Sequence, residues 1–278
     1  MRSHSETEDL LLKLVRYIHG GAWRDPLVDA SSFATTVDLL ASTEITHAVA
    51  GYASINYRLS PYPNHPTKPS SADDPSRNAE HPDHINDVTR ALFFLEEKYK
   101  ISGRYVLVGH SCGATLAFQV PIEYNHFTMV PQPACIIGSE GIYDIPSLVK
   151  VHDHVPYYRQ FCCAAFGNVE KAWVEASPYT AKTQAIWANT RTLIISHSEE
   201  DDLVEKEQAT KMLERFAETP EWHGQSRYTP VTGSHNETWE KGTEMAKIIL
   251  EGLDSWRLGR LASPVRGKSH AHTSSEAA

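Results

Sequence analysis

The sequence predicts an α/β fold, built on a doubly wound and mostly parallel sheet. Short apolar runs alternate along the chain with segments whose apolar residues recur at helical spacing. Parallel strands joined by crossover helices produce this alternation. Three further motifs directly follow predicted strands, at the edge where open α/β sheets bind their ligands. The 278 residues suit one large domain rather than two independent cores.

The strands are predicted from short runs of β-branched and other apolar residues, and the helices from apolar spacings of three and four. Ile85, Val88 and Leu92, for example, fall on one face of a helix. Strands are expected at 10–18, 52–57, 105–108, 134–137, 192–196 and, more weakly, at 226–231. Helices are expected at 29–46, 84–100, 112–124, 205–218 and 237–250.

Composition assigns the remaining segments. Residues 60–82 are rich in Pro, Ser, Asn and Asp, which predicts a long polar loop. Residues 144–190 hold short helical pieces, many aromatic residues and no clear strand, which is typical of a small helical lid. We therefore expect a single domain over 1–262, with this lid inserted, and a disordered tail over 263–278.

Charge, cysteine usage and hydropathy narrow the functional classes. The net charge is −9 and no basic stripe occurs, which argues against a nucleic-acid partner. The four cysteines form no CxxC pair, so reduced thiols are expected rather than a disulfide framework or a zinc ribbon. Neither a signal peptide nor an apolar run of membrane-spanning length occurs, which predicts a cytoplasmic protein without a membrane partner.

The strongest chemical signal is GHSCG at 109–113, which matches G-x-S-x-G. It follows the apolar strand YVLV and begins a helix, which is the context of the nucleophile elbow in the α/β-hydrolase fold. The glycines allow strand and helix to approach closely around a strained turn. The pattern predicts Ser111 as the nucleophile, and Cys112 as a small packed side chain rather than a reactive thiol.

A second motif, HGGAW at 19–23, follows the first predicted strand. In lipases and esterases, an HGG loop at this place supplies backbone N–H groups to the oxyanion hole. Glycines expose these N–H groups without an intervening Cβ. We expect the amide of Gly21 or Ala22 to act together with the amide of Cys112.

The acid of a Ser–acid–His triad is expected after a later strand. HSEEDDLV at 197–204 follows the strand TLIIS, and its distance from the strand end favours Asp201 over Asp202. Glu140 and Asp144 follow the preceding strand and rank lower as candidates.

The histidine of the triad is expected between the last strand and the last helix, where GSHNETW at 233–239 places His235. There it would act as general base toward the hydroxyl of Ser111. His19 and His110 lie inside the two glycine motifs and are interpreted as structural. The histidine pairs in HPDH and HDH lack metal-ligand spacing, so neither a metal nor a cofactor is predicted.

Six segments of the chain resemble the fungal kynurenine formamidases, or arylformamidases: HGGAWRDP, INYRLSP, HPDHINDVTRAL, YVLVGHSCGATLAFQ, HSEEDDLV and GSHNETW. The resemblance implies hydrolysis of N-formyl-L-kynurenine to L-kynurenine and formate, in tryptophan catabolism toward NAD. It carries the catalytic triad onto Ser111, Asp201 and His235.

The resemblance also implies an aromatic substrate, whose ring needs an apolar wall. We expect Trp23 to contact this ring, together with four aromatic residues of the predicted lid: Tyr157, Tyr158, Phe161 and Phe166. The small formyl group would fit a tight acyl pocket.

Hydrolases of this kind usually begin with an antiparallel hairpin before the HGG strand. Few residues precede that strand here, so one or both edge strands are expected to be missing, which leaves an exposed sheet edge. Three other functions stay open: a general carboxylesterase for small acyl or aryl esters, a non-catalytic relative that binds a small molecule, and a metal-dependent hydrolase. The sequence also leaves a homodimer open.

Overall fold

A computed structural model describes residues 14–43, 49–122, 130–181, 190–218 and 222–261, with side chains up to Trp256. Several predictions lie partly outside the described residues. They are the start of the first strand, an antiparallel hairpin before it, the ends of the helices predicted at 29–46 and 112–124, part of the lid at 144–190, and the tail at 263–278. The expected loss of edge strands and the expected disorder of the tail therefore stay predictions.

Six parallel strands form one sheet, in the order β2-β1-β3-β4-β5-β6. Every pairing between neighbouring strands is parallel. This arrangement confirms the predicted α/β fold with a doubly wound parallel sheet. The strands are β1 (Leu14–Ile18), β2 (Tyr52–Ile55), β3 (Tyr105–His110), β4 (Cys135–Ser139), β5 (Thr192–Ser198) and β6 (Gln225–Val231).

The strand order reverses at β1, because the chain runs from β1 to the edge strand β2 and then returns to β3 on the other side of β1. Doubly wound sheets bind ligands at such a reversal, beyond the carboxyl ends of the strands. Ile18 pairs with Gly109 in the register of β1 and β3. The register therefore brings the two glycine motifs, HGGAW and GHSCG, to the same edge.

Helices cover both faces of the sheet. Leu107 faces one core, shared with Val88 and Phe118, and its neighbour Val106 faces the other core, shared with Ile248. The α-helices within the described ranges are α1 (Ala34–Ala41), α2 (Asp83–Tyr99), α3 (Cys112–Gln119), α4 (Ile145–Val151), α5 (Pro156–Phe166), α6 (Glu170–Ala176), α7 (Glu207–Ala217), α8 (Glu237–Glu240) and α9 (Thr243–Leu261). None of these helices is long and apolar enough to cross a bilayer.

The helix predicted at 237–250 is wrong as a single element, since it divides into α8 and α9. Gly242 lies between them in a left-handed conformation, with φ of 71°. A Cβ at this position would lie 2.9 Å from the backbone nitrogen of Thr36. The helix is therefore interrupted where it packs closely against α1, and this position requires glycine.

The segment 144–181 contains α4, α5 and α6 and, within these described residues, no strand. This agrees with the helical character predicted for 144–190. The hydroxyl of Tyr158 on α5 donates a 2.6 Å hydrogen bond to the carbonyl of Leu203, in the loop after β5. That bond ties α5 to the carboxyl edge of the sheet. The division into one domain with an inserted lid stays a prediction.

Candidate active site

Ser111 lies in the turn between β3 and α3, with a left-handed backbone conformation (φ 55°, ψ −125°). This conformation is strained for a residue that has a Cβ. The N–H of Ser111 donates to the carbonyl of Ser139 at 2.9 Å, which holds the turn. A Cβ at Gly109 would collide with the backbone of Gly113, so the crossing of strand and helix requires glycine. The geometry is that of a nucleophile elbow.

The HGGAW loop lies directly against this turn. Gly21, Ala22 and Trp23 have consecutive positive φ angles of 91°, 49° and 58°. A Cβ at Gly20 would lie 3.1 Å from the Cβ of Ser111, so the loop backbone approaches the serine closely. Gly21 and Ala22 line the same cavity as Ser111.

The side chain of Cys112 supports the loop. Its Sγ accepts the N–H of Trp23 at 3.2 Å. Burial raises the pKa of the Cys112 thiol to about 11, so the thiol stays protonated at neutral pH. This packed, inert environment matches the interpretation from the sequence. The amide of Cys112, with those of Gly21 and Ala22, stays the predicted set of oxyanion donors.

Tyr57 is a site residue that the sequence analysis did not single out. Its hydroxyl lies 3.1 Å from the carbonyl oxygens of both His19 and Gly20 and donates to them. Its ring stacks on the ring of His19, with a centroid distance of 4.4 Å. Tyr57 therefore fixes the start of the HGGAW loop. The signal in the sequence was a tyrosine two residues beyond the end of β2.

We expect Tyr57→Phe to lower the free energy of unfolding by about 1 kcal/mol, because two buried carbonyl groups lose a donor. The turnover number should fall about threefold to tenfold, since the predicted oxyanion amides are held less firmly. Tyr105→Phe is the matched control, because the Tyr105 hydroxyl donates to the Pro131 carbonyl at the opposite end of β3. Urea denaturation and ester hydrolysis measure both quantities. A turnover number that falls equally in both variants would contradict the positioning role of Tyr57.

Asp201 and His235 are in direct contact. Nδ1 of His235 lies 2.9 and 3.0 Å from the two carboxylate oxygens of Asp201. Asp201 follows β5 and His235 follows β6, and their side chains are only 1% and 5% exposed. One carboxylate oxygen of Asp201 also accepts the N–H groups of Leu203 and Val204, each at 2.9 Å. These bonds hold the carboxylate in one orientation toward the imidazole ring.

The two adjacent aspartates contact His235 in different ways. Asp202 accepts the backbone N–H of His235 at 3.2 Å, whereas Asp201 binds the ring. Burial raises the pKa of Asp201. Hydrogen bonds from His235 and from the loop amides lower it by more than burial raises it, so the pKa of Asp201 lies below its usual value. Asp201 is therefore an anion at neutral pH. It accepts the Nδ1 proton of His235 and leaves Nε2 free to act as a base.

The two lower-ranked acids do not bind the ring of His235. The carboxylate of Glu140, which follows β4, lies 3.1 Å from Nε2 of His110. The same nitrogen lies 3.0 Å from the carbonyl oxygen of His235. Asp144 accepts the N–H of Ser147 and thereby caps α4. Of the candidate acids, the structure thus brings Asp201 to Nδ1 of His235.

One group of described residues has ligand atoms close enough for a metal ion, namely His110, Glu140 and His235, whose ligand atoms lie within 4.8 Å of one another. Hydrogen bonds already engage one nitrogen of each histidine: Nδ1 of His235 binds Asp201, and Nε2 of His110 lies between Glu140 and a carbonyl oxygen. An ion bound through these nitrogens would have to displace these bonds. The donor set therefore fits a proton network better than a metal centre.

Ser111 and His235 open into one cavity of about 690 Å³. The segment 144–181 contributes much of its apolar wall, through Val155, Tyr157, Tyr158 and Phe161. Further titratable residues also line it: Asp25, His110, His152, His154 and Asp202. An apolar wall with a few polar groups is typical of sites for small organic molecules.

The expected contact between Trp23 and a substrate ring is not supported by this geometry. Trp23 is fully buried and is not among the residues that line the cavity. Its ring packs against Phe161 and Phe166 of α5, with centroid distances of 6.0 and 4.9 Å. Phe161 reaches the cavity, whereas Phe166 lies behind it, against Trp23. The packing of α5 determines which of these aromatic side chains reaches the cavity, and the spacing of the motifs does not specify that packing.

We expect Trp23→Ala to lower the free energy of unfolding by about 3–5 kcal/mol, because it leaves a large cavity beneath α5. The ratio of kcat/KM between a formyl anilide and an acetyl ester should stay near the wild-type ratio. Trp239→Ala is the comparison, since Trp239 does line the cavity and should change this ratio. A changed ratio with unchanged stability in Trp23→Ala would restore a direct role in substrate binding.

Comparison with known proteins adds the family context. The BD-FAE family matches residues 3–216. The protein named kynurenine formamidase-like hydrolase fscH, from Fusarium equiseti, is 36% identical over 245 residues, which cover 86% of this chain and 82% of that protein. The kynurenine formamidase avaC of Aspergillus versicolor is 35% identical over 246 residues, which cover 81% of this chain and 83% of that protein.

Solved structures of esterases and lipases share the architecture. Esterase B from Lactobacillus rhamnosis superposes with a TM-score of 0.67 at 15% identity, covering 90% of this chain and 79% of that chain. A hormone-sensitive lipase from a metagenome library gives a TM-score of 0.60 at 16% identity, covering 90% and 78%. At these identities the likeness shows the fold alone.

Proposed function

Because the chain belongs to the BD-FAE family, whose members are α/β-hydrolases, we propose that it cleaves N-formyl-L-kynurenine to L-kynurenine and formate. The observation that carries this proposal is the bond from Asp201 to His235, which lines the same cavity as Ser111. The two relatives named as kynurenine formamidase or formamidase-like hydrolase support the substrate.

The first half of the proposed reaction forms a formyl-enzyme. His235 takes the hydroxyl proton of Ser111 through Nε2 while the serine oxygen attacks the formyl carbon. Asp201 stabilises the imidazolium that results. The amides of Cys112 and of Gly21 or Ala22 would stabilise the oxyanion, at about 3 kcal/mol of barrier for each donor.

The second half releases both products. The imidazolium of His235 protonates the leaving aniline nitrogen, which frees L-kynurenine. A water molecule, deprotonated by His235, then attacks the formyl ester of Ser111 and releases formate. The serine hydroxyl is regenerated, and the proposed reaction needs no cofactor.

The cavity lining supports an aromatic amino acid as substrate. Tyr157, Tyr158 and Phe161 would contact the kynurenine ring. Asp25 and Asp202 line the same space and offer carboxylates to the α-ammonium group of the substrate. These contacts would favour a charged amino acid over a neutral aryl ester.

The deciding experiment compares N-formyl-L-kynurenine with p-nitrophenyl acetate, using the purified protein and Ser111→Ala as control. The proposal expects formamidase activity that is lost in the variant. Ester cleavage without formamidase activity would identify a general carboxylesterase. Folded protein that binds N-formyl-L-kynurenine but cleaves neither compound would identify a non-catalytic binder. Activity lost on chelation would indicate a metal-dependent hydrolase.

Cytoplasmic localisation stays a prediction and is supported by four cysteines without disulfide partners: Cys112, Cys135, Cys162 and Cys163. A homodimer and the absence of a nucleic-acid partner also stay predictions. Size-exclusion chromatography with light scattering tests the first of these, and a filter-binding assay with DNA and RNA tests the second.

A further inference from the structure

We propose that Glu140 is a positioning residue for the reaction: its buried carboxylate, held by His110, stabilises the protonated form of His235 together with Asp201. This inference rests on the proposed function, because it takes His235 as the general base. It assigns a role to both residues of this pair. From the motifs alone, His110 was interpreted as structural and Glu140 as a lower-ranked candidate for the triad acid.

The hydrogen bonds determine which groups carry protons. Nε2 of His110 lies 3.0 Å from the carbonyl oxygen of His235, which can only accept, so this nitrogen must carry a proton. The carboxylate oxygen of Glu140, 3.1 Å from the same nitrogen, is therefore also an acceptor. Burial lowers the pKa of His110, which favours its neutral form. We take Glu140 as the ionised partner of this neutral His110.

The surroundings of Glu140 leave its charge poorly compensated. The residue is fully buried, and its second carboxylate oxygen has no hydrogen-bond partner in the part of the chain that the structure describes. Its backbone has a positive φ of 49° and is held by a bond from its N–H to the Ser196 carbonyl. A strained backbone and a buried, half-satisfied carboxylate are both costly, and such features concentrate at functional sites.

The nearest group that becomes cationic during the reaction is His235. Ligand atoms of Glu140, His110 and His235 lie within 4.8 Å of one another, and the rings of the two histidines are 4.7 Å apart. A carboxylate at this distance in a buried site favours the imidazolium over the neutral ring. Glu140 does not line the cavity and therefore acts through charge rather than through contact with substrate.

Other titratable groups also face His235. Asp201 binds its ring and Asp202 binds its backbone, both from the loop after β5. The remaining groups line the cavity: Asp25, His152, His154, Tyr157 and Tyr158. Because the cavity admits solvent, charges along it are screened more strongly than the charge of the enclosed Glu140. Removal of Glu140 should therefore change the pH dependence more than removal of an exposed carboxylate.

The test is the rate at which a fluorophosphonate labels Ser111, measured from about pH 5 to 9 in the wild type and in Glu140→Gln. Glutamine keeps an oxygen acceptor for His110 and removes the charge. We expect labelling at neutral pH to slow about tenfold, and the acid limb of the profile to move about one unit to lower pH, because protonated His235 loses a stabilising charge. Glu140→Asp should restore the acid limb.

Glu199→Gln is the matched control, because Glu199 is 73% exposed and pairs with Lys206 in the same loop as Asp201. Its profile should overlay that of the wild type. Slower labelling of Glu140→Gln with an unmoved acid limb would mean that Glu140 only supports packing, and would overturn the inference. Wild-type protein that is not labelled at Ser111 would instead overturn the proposed nucleophile, and this inference with it.

A second measurement covers the case in which Glu140→Gln does not fold. Carbon-13 labelling of glutamate carboxyl groups in the wild type reports the ionisation of Glu140 by NMR, with Glu140→Asp used for assignment. A carboxylate signal at pH 7 is expected. A protonated Glu140 at pH 7 would overturn the inference.

Discussion

Replacement of Ser111 by alanine is expected to lower kcat/KM for N-formyl-L-kynurenine by at least about 10⁴-fold. The proposed reaction passes through a formyl-enzyme, and alanine has no oxygen with which to form that bond. The residual rate would come from the oxyanion amides and from binding alone, which in serine hydrolases is a small fraction of the full rate. Initial rates at several substrate concentrations measure the loss.

The control for this variant is Ser255→Ala. Ser255 is also buried, and its hydroxyl has no partner within the described residues, but it does not line the cavity. We expect its kcat/KM to stay within about twofold of the wild type. Circular dichroism should show both variants folded. If Ser111→Ala kept more than about a tenth of the wild-type activity, the nucleophile would have to lie elsewhere.

Replacement of Asp201 by asparagine is expected to lower the turnover number by about 10³–10⁴-fold. The carboxylate accepts the Nδ1 proton of His235, at 2.9 Å, and so keeps Nε2 free as the base. The asparagine amide can instead donate to Nδ1, which moves the proton to Nε2 and leaves the ring unable to accept the serine proton. The shape of the side chain is nearly unchanged, so the loss reports the tautomer and the charge.

Asp202→Asn provides a direct contrast, because Asp202 is the next residue and accepts the backbone N–H of His235 rather than contacting its ring. The asparagine oxygen can accept the same bond, so we expect the turnover number to fall less than about tenfold. The KM for N-formyl-L-kynurenine should rise, since Asp202 lines the cavity. Similar losses of turnover in both variants would argue against the assignment of Asp201 as the triad acid.

The candidate acids and aromatic residues differ in how well the sequence predicted their contacts. Spacing from β5 favoured Asp201, and the structure brings that residue to the ring of His235. The expectation that Trp23 contacts the substrate came instead from the aromatic substrate that the resemblance implies, although Trp23 packs against α5. The first inference depended on a short loop after a strand, whose geometry varies little. The second depended on how a separate segment folds over the loop.

The sequence by itself determined the sheet and the two glycine turns. Strands buried on both faces must be apolar throughout, and close backbone crossings exclude a Cβ, so both leave a readable pattern. Only the tertiary structure decided that Glu140 meets His110, and that Tyr57 holds the HGGAW loop. Those contacts join residues far apart in the chain, such as His110 with Glu140, 30 positions away, and with His235, 125 positions away. Such pairings depend on how strand ends and loops meet at the sheet edge, which no local pattern specifies.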